Sequence, residues 1–255
     1  MPILINSFRF ATAGGGPALD DIPVTTNLYF WAKRGTGFYS DNGVTPATSN
    51  GDHIRRWYDP RANGLYLECG DTGNSNRHPR LDTVSKTSFS VARLETTSGN
   101  ERYFVIPSLT SLSESEIYVA IKPNNYPPAA GKTGIWAIGA SGQQSHYSWT
   151  DGTIYDSLCS TARRGVAPGS SLAAWRTYGG WSATNDWAMR LDGSSIGTSG
   201  SNTPGFASPA YLGVSLLVGE YFDGAIAEFA IYSAKLSGSD RTSVDAYFAD
   251  ICAAS

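Results

Sequence analysis

Two stretches of the chain gather aromatic rings among hydrogen-bonding side chains. One is Ser145-His146-Tyr147-Ser148-Trp149-Thr150-Asp151-Gly152; the other is Tyr178-Gly179-Gly180-Trp181-Ser182-Ala183-Thr184-Asn185-Asp186-Trp187. Flat aromatic faces suit the C–H surfaces of sugars, with Asp, Asn and His fixing the hydroxyls. Large rings with a polar edge also serve protein interfaces. His146, Tyr147, Trp149 and Asp151, joined by Tyr178, Trp181 and Asp186, form the candidate ligand-binding set. The competing account is packing at the ends of a β-sandwich, because tryptophan is highly buried on average.

Catalytic constellations are weaker. Gly131-Lys132-Thr133 resembles part of a phosphate loop, but the glycine needed five residues before Gly131 is Tyr126, and two prolines precede it where a strand is required. Gly139-Ala140-Ser141-Gly142 has Gln143 where a nucleophile elbow needs its second glycine. His53, His78 and His146 each sit among turn residues, read as surface or loop positions, and no two are adjacent or arranged as a zinc motif. Glycoside hydrolysis needs two carboxylates across a cleft. Glu114 and Glu116 have alternate spacing but begin a strand, and Glu228 has Ile226 and Ala230 as its same-face neighbours under strict alternation. These carboxylates read as edge or solvent groups, and the chain as a non-enzyme.

Asp71, Asn74 and Asn76 crowd one loop with hard oxygen donors, which suit Ca²⁺ but also serve turns for backbone reasons. No metal and no cofactor is expected. Cys69, Cys159 and Cys252 are far apart in sequence and read as reduced thiols, with one disulfide left open. The 255 residues carry 19 basic and 22 acidic side chains and no basic run, which argues against nucleic acid as a partner. No apolar run approaches the ~18 residues of a membrane span, and MPILINSFRF does not read as a signal peptide.

The elements that must position these residues are mainly strands. Arg102–Ile106, Ile117–Ile121, Gly134–Gly139, Tyr211–Val218 and Ala225–Tyr232 are short apolar runs between turn residues, the pattern of a sandwich. Ala225–Tyr232 is apolar on both faces except at Glu228, as expected of a strand covered on both sides. The Ser/Gly/Thr-rich stretch Gly193–Gly205 reads as loops. Ser237 caps a helix with Asp240 three residues on, and Val244, Tyr247, Phe248 and Ile251 make one apolar stripe. Residues 1–27 read as an N-terminal arm: an apolar segment spanning residues 3–10, then Ala13-Gly14-Gly15-Gly16-Pro17. Residues 28–255 form the domain. The arm's apolar segment is either a first strand or a hook into a neighbouring subunit.

The closing stretch Phe222-Asp223-Gly224-Ala225-Ile226-Ala227-Glu228-Phe229-Ala230-Ile231-Tyr232, then Leu236-Ser237 and the helix to Tyr247-Phe248, resembles that of concanavalin A-like (laminin G-like) jelly rolls. Met189-Arg190-Leu191-Asp192-Gly193 resembles the family's strand and hairpin tip. Thr133–Gly139 and Ser145–Tyr155 resemble a subgroup found in bacterial and bacteriophage proteins. The resemblance implies an all-β, concanavalin A-like jelly-roll β-sandwich with a short C-terminal α-helix. It further implies a bacteriophage virion protein of tail, neck or capsid exterior: a homo-oligomer, docked on other virion proteins through the N-terminal segment, touching host-surface glycans and not inserted in a membrane. Such a protein is made in the host cytoplasm and needs no signal peptide. A free carbohydrate-binding lectin is the alternative, with a glycoside hydrolase behind it.

Overall fold

The computed structural model describes residues 21–84, 89–94, 96–97, 100–142, 144–215 and 220–254. The apolar segment at 3–10, the glycine link at 13–17 and the end of the Tyr211–Val218 run lie outside the described residues. In chain order the strands are β1 (Leu28–Ala32), β2 (Phe38–Tyr39), β3 (Arg56–Tyr58), β4 (Tyr66–Cys69), β5 (Arg80–Val84), β6 (Phe89–Leu94), β7 (Thr96–Thr97), β8 (Asn100–Glu101), β9 (Phe104–Ile106), β10 (Ser115–Pro123), β11 (Trp136–Gly139), β12 (Ile154–Asp156), β13 (Arg164–Val166), β14 (Arg176–Ala183), β15 (Asp186–Leu191), β16 (Ser194–Ser199), β17 (Phe206–Leu212) and β18 (Gly224–Tyr232). Helix α1 (Gly238–Ala254) follows.

One antiparallel sheet runs β16-β15-β14-β10-β18-β6-β5, with β1 also paired to β18. A second runs β11-β17-β9-β4-β3-β2. Alternate residues of β10 separate two cores. Ile117, Val119 and Ile121 face the second sheet with Trp57, Phe104, Trp136, Tyr178 and Phe229. Tyr118 and Ala120 face α1, where Val244, Tyr247, Phe248 and Ile251 lie buried as the stripe requires, and Phe248 stacks on Tyr118 at 5.3 Å. The molecule is thus a jelly-roll sandwich with a helical third layer. Ser237 caps α1: its hydroxyl accepts from the Asp240 N–H and donates to the Asp240 carboxylate. Ile22 and Val24 are buried in the helix-side core, so the last part of the segment assigned to the arm is packed with the domain.

Several sequence expectations change on folding. Gly193–Gly205 is not all loop, because Ser194–Ser199 forms β16 on β15. The two-residue turn joining them, Asp192-Gly193, has φ of 47° and 76°, the left-handed pair that a tight twisted hairpin needs. Glu228 does not share a face with Ile226. Ala120 pairs with Glu228 and Ile121 with Ile226, so Ala227 is the extra residue of a β-bulge and the alternation breaks there. Glu228 turns toward the helix layer, fully buried, accepting from the Trp31 indole N–H and from Tyr247 Oη at 2.6 Å. Glu116 is likewise buried rather than solvated. It accepts from Arg241 Nε (2.7 Å) and Nη2 (2.9 Å), Tyr118 Oη (2.7 Å) and the Leu236 N–H (2.8 Å). That set ties the start of β10 to the first turn of α1.

The Asp71 loop closes on itself. Asp71 Oδ1 accepts from the N–H groups of Gly73 and Asn74, Oδ2 pairs with Arg77, and Asn74 caps a turn of 3₁₀ helix. These are the backbone roles of Asx turns. All three cysteines are free thiols. Cys69 and Cys159 are buried and Cys252 is half-buried; burial pushes the first two up to about 12 and Cys252 up to about 11. No helix among the described residues is long and apolar enough to cross a membrane.

Candidate functional site: the hairpin pocket

The Ser145–Asp156 stretch is a narrow hairpin. His146 and Tyr155 exchange backbone hydrogen bonds (2.7 and 3.1 Å), and the Trp149 N–H reaches the Thr153 carbonyl at 2.8 Å. Asp151 Oδ1 accepts from the Thr153 N–H at 2.8 Å, and Gly152, with φ of 83°, completes the turn. Alternation along this ribbon divides its side chains. His146 and Tyr155 point to one side; Tyr147, Ile154 and Asp156 enter the sandwich core. On the first side lies an open pocket of ≈ 340 Å³ lined by Gln144, His146, Trp149, Asp151, Tyr155 and Arg163.

The pocket floor is rigidly held. His146 is 2% exposed and its ring lies 4.6 Å from that of Trp149. Its Nε2 is 2.9 Å from Glu220 Oε2, and its Nδ1 is 2.7 Å from Arg163 Nη2. Arginine can only donate, so Nδ1 must be the acceptor and the Nε2–H donates to Glu220. The imidazole is therefore neutral in a single tautomer. Burial lowers its pKa, and the nearby Arg163 adds to this while Glu220 opposes it. Ser215 Oγ steadies Glu220 at 2.8 Å. Gly134 makes room for that segment: a Cβ there would stand 2.1 Å from the Glu220 carbonyl and 2.6 Å from the Ser215 nitrogen.

Arg163 stacks its guanidinium over Tyr155 at 4.5 Å, a cation–π contact. Desolvation lowers its pKa. Asp151 stands exposed at the rim. The Thr153 N–H and the Tyr155 hydroxyl (3.1 Å from Oδ2) hold its carboxyl below the ordinary range, so it is ionised at neutral pH. Beneath the hairpin, the fully buried Asp156 accepts from Trp136 Nε1 (2.7 Å), Tyr178 Oη (2.8 Å), Ser145 Oγ (2.9 Å) and the Leu158 N–H (2.9 Å). Burial raises its pKa against these four donors. Asp156 pins the ribbon to the sandwich, and its role had no motif to announce it.

Of the seven candidate residues, the structure brings His146, Trp149 and Asp151 together in this pocket. Tyr147 is 1% exposed, its ring 4.9 Å from Tyr178, because it follows His146 on an extended ribbon and must face the other way. Tyr178 to Trp187 is no loop but the β14–β15 hairpin inside the large sheet. Tyr178 is fully buried and stacks on Trp136 at 5.4 Å. Trp181 and Asp186 lie elsewhere, on the helix side. The Trp181 indole N–H donates to Asp186 at 2.7 Å, and the ring carries Arg241 at 4.2 Å and Lys235 at 4.6 Å, with Lys235 also paired to Asp186. The histidines also differ from expectation: His78 and His146 are buried, at 4% and 2% exposure. Arg163, Tyr155, Gln144 and Glu220 were missed. Arg163 and Glu220 are distant in sequence and meet His146 only through the fold.

No family model and no curated protein sequence matches the chain. Solved structures do match its fold. Domain 4 of AbnA, a GH43 extracellular arabinanase from Geobacillus stearothermophilus in complex with arabinotriose, aligns with TM-score 0.51 at 14% identity, over 73% of this chain and 91% of that one. The binding domain of Paraclostridial Mosquitocidal Protein 1 aligns with TM-score 0.52 at 14% identity, over 80% and 52%. Trypanosoma rangeli sialidase, in complex with 2,3-difluorosialic acid as a covalent intermediate, aligns with TM-score 0.52 at 11% identity, over 91% and 35%. The chain thus spans about half the length of the second and about a third of the third. These similarities define the class of the fold, a β-sandwich of jelly-roll type.

Proposed function

We propose that the pocket of His146, Trp149, Asp151, Tyr155 and Arg163 binds a saccharide, and that the chain is a glycan-recognition module rather than an enzyme. The observation that carries this reading is the pocket's composition. Trp149 and Tyr155 supply ring surface, and a neutral imidazole, an ionised carboxylate and a guanidinium surround them with fixed polar groups. A few placed polar groups around aromatic walls is the usual make-up of a small-molecule site. The arabinanase domain of similar fold, solved with arabinotriose, supports the reading as an analogy of fold. Against hydrolysis stands the engagement of Glu116 and Glu228, each enclosed by donors within the helix layer.

The test is titration of a glycan panel followed by intrinsic fluorescence and proton–nitrogen spectra. Trp149→Ala should weaken retained glycans by roughly 30-fold, the loss of about 2 kcal/mol typical of an aromatic anchor, with an unchanged melting temperature. Binding that survives this change at full strength would move the site elsewhere. Trp181→Ala should disturb the α1 contact rather than glycan binding.

Service in a virion is the wider proposal. One observation favours assembly: β16 ends the large sheet with six residues, Ser194–Ser199, and no charge among them, whereas β5 at the other end carries Arg80 and Asp82. An unguarded edge invites strand pairing. Co-purification with assembled particles tests it; a monomer that never joins particles would favour the free lectin.

A further inference from the structure

We infer that the pocket, given that it binds a saccharide, selects neutral sugars and grips adjacent hydroxyls between the Asp151 carboxylate and the Arg163 guanidinium. Two hydrogen-bonding positions in the pocket remain open, and their charge sets the chemistry of the complement. The Asp151 carboxylate accepts from the Thr153 N–H, the Tyr155 hydroxyl and the Thr153 hydroxyl, and the residue is exposed, so a further lone pair of its four remains available to a donor. A carboxylate can only accept, so its complement must donate, as a hydroxyl does. Arg163 spends Nη2 on His146, and its Nε is buried; Nη1 has no partner among the described residues and is not buried. That position can only donate, so its complement must accept.

A ligand meeting both needs an acceptor beside a donor. Neighbouring hydroxyls of a sugar ring provide this, while Trp149 offers ring surface for the sugar's C–H face. The volume of ≈ 340 Å³ stands at the small end of ligand pockets, which suits a short saccharide.

Charge then decides against acidic sugars. Asp151 and Glu220 contribute two negative charges and Arg163 one positive, while His146 is held neutral. The positive charge already lies over Tyr155 and within the fields of Glu220 and the buried Asp156. A uronate or sialate carboxylate would meet the exposed Asp151 at the rim, and like charges at that distance repel, most strongly at low salt. The pocket is therefore built to exclude anionic sugars while keeping its arginine as a hydroxyl donor.

The experiment titrates the intact protein with paired probes: lactose against 3′-sialyllactose, and cellobiose and galactobiose against their uronate counterparts. Because seven tryptophans share the intrinsic fluorescence, it is followed by the Trp149 indole N–H resonance and by the His146 ring resonances. Expected is binding of at least one neutral probe, its acidic partner at least tenfold weaker, and a narrowing of that gap in Asp151→Asn at low salt. Acidic probes that bind equally well or tighter would overturn the selectivity while leaving the saccharide reading intact. Probes that bind without moving either the Trp149 or the His146 signal would overturn both, as would no binding by any probe. Asp151→Gly, which removes the side chain, guards the comparison: if it leaves neutral-sugar affinity unchanged, Asp151 does not hold the hydroxyl.

Discussion

His146 concentrates the chemistry of the pocket, and its two contacts make it sensitive to acid. In the neutral form it accepts from Arg163 and donates to Glu220. Protonation places a second N–H opposite a guanidinium that can only donate, so Arg163 must leave its place over Tyr155. Asp151 and Glu220 pull toward the charged form, while burial and Arg163 push against it, with the net pKa below 6.5. A lowered imidazole pKa favours the folded, neutral arrangement at high pH, and that contribution is lost as pH falls from about 6.5 through the lowered value. Saccharide affinity should hold between pH 8 and 7 and decline only as the pH falls through the lowered value of the folded protein, and His146→Gln should remove the step. A decline already between pH 8 and 7, or a step that survives in His146→Gln, would contradict the assignment. Sequence spacing placed His146, Trp149 and Asp151 together because they share one turn. Counting alternate positions from His146 would also have turned Tyr147 inward. Nothing local could have supplied Arg163, which the β12–β13 pairing carries across to the same ring.

At the scale of elements, the helix is held by more than its apolar stripe. Glu116 on β10 receives a two-pronged bond from Arg241 in α1, with Tyr118 and the Leu236 N–H completing its shell. Removing the charge of a buried carboxylate leaves its arginine uncompensated, at a cost of about 3 kcal/mol. Glu116→Gln should therefore lower the melting temperature by about 6–12 °C, which calorimetry reads directly. A shift within one degree would mean that the pair is idle. The stripe of α1 was legible because its 3.6-residue period needs no partner to be seen. The surroundings of Glu116 and Glu228 were not. Solvated carboxylates are the ordinary expectation, and the bulge at Ala227 that swings Glu228 inward leaves no trace in composition. β16 was hidden for a related reason: serine and glycine fill most of it and do not favour a strand, so the ladder supplied by β15 makes it one.

For the molecule as a whole, the short apolar runs between turns, the apolar β18 and the closing helix were enough to specify a sandwich with a helical tail; the jelly-roll form came from the resemblance of the closing stretch, and the assignment of core and surface rings required the fold. The layered arrangement also sets how fast different parts exchange their amide hydrogens. β10 and β18 have neighbours on both edges along much of their length and cover on both faces. Their amides at Ile117–Ile121 and Phe229–Ile231 should exchange only when the whole chain unfolds. The tip of the pocket hairpin, Trp149 to Thr153, is closed by a few backbone bonds and the Asp151 side chain, and should open locally at a far smaller free energy. A bound sugar would then slow deuterium uptake at Trp149, Gly152 and Thr153 and leave β10 unchanged, reporting occupancy of the pocket before the sugar itself has been identified.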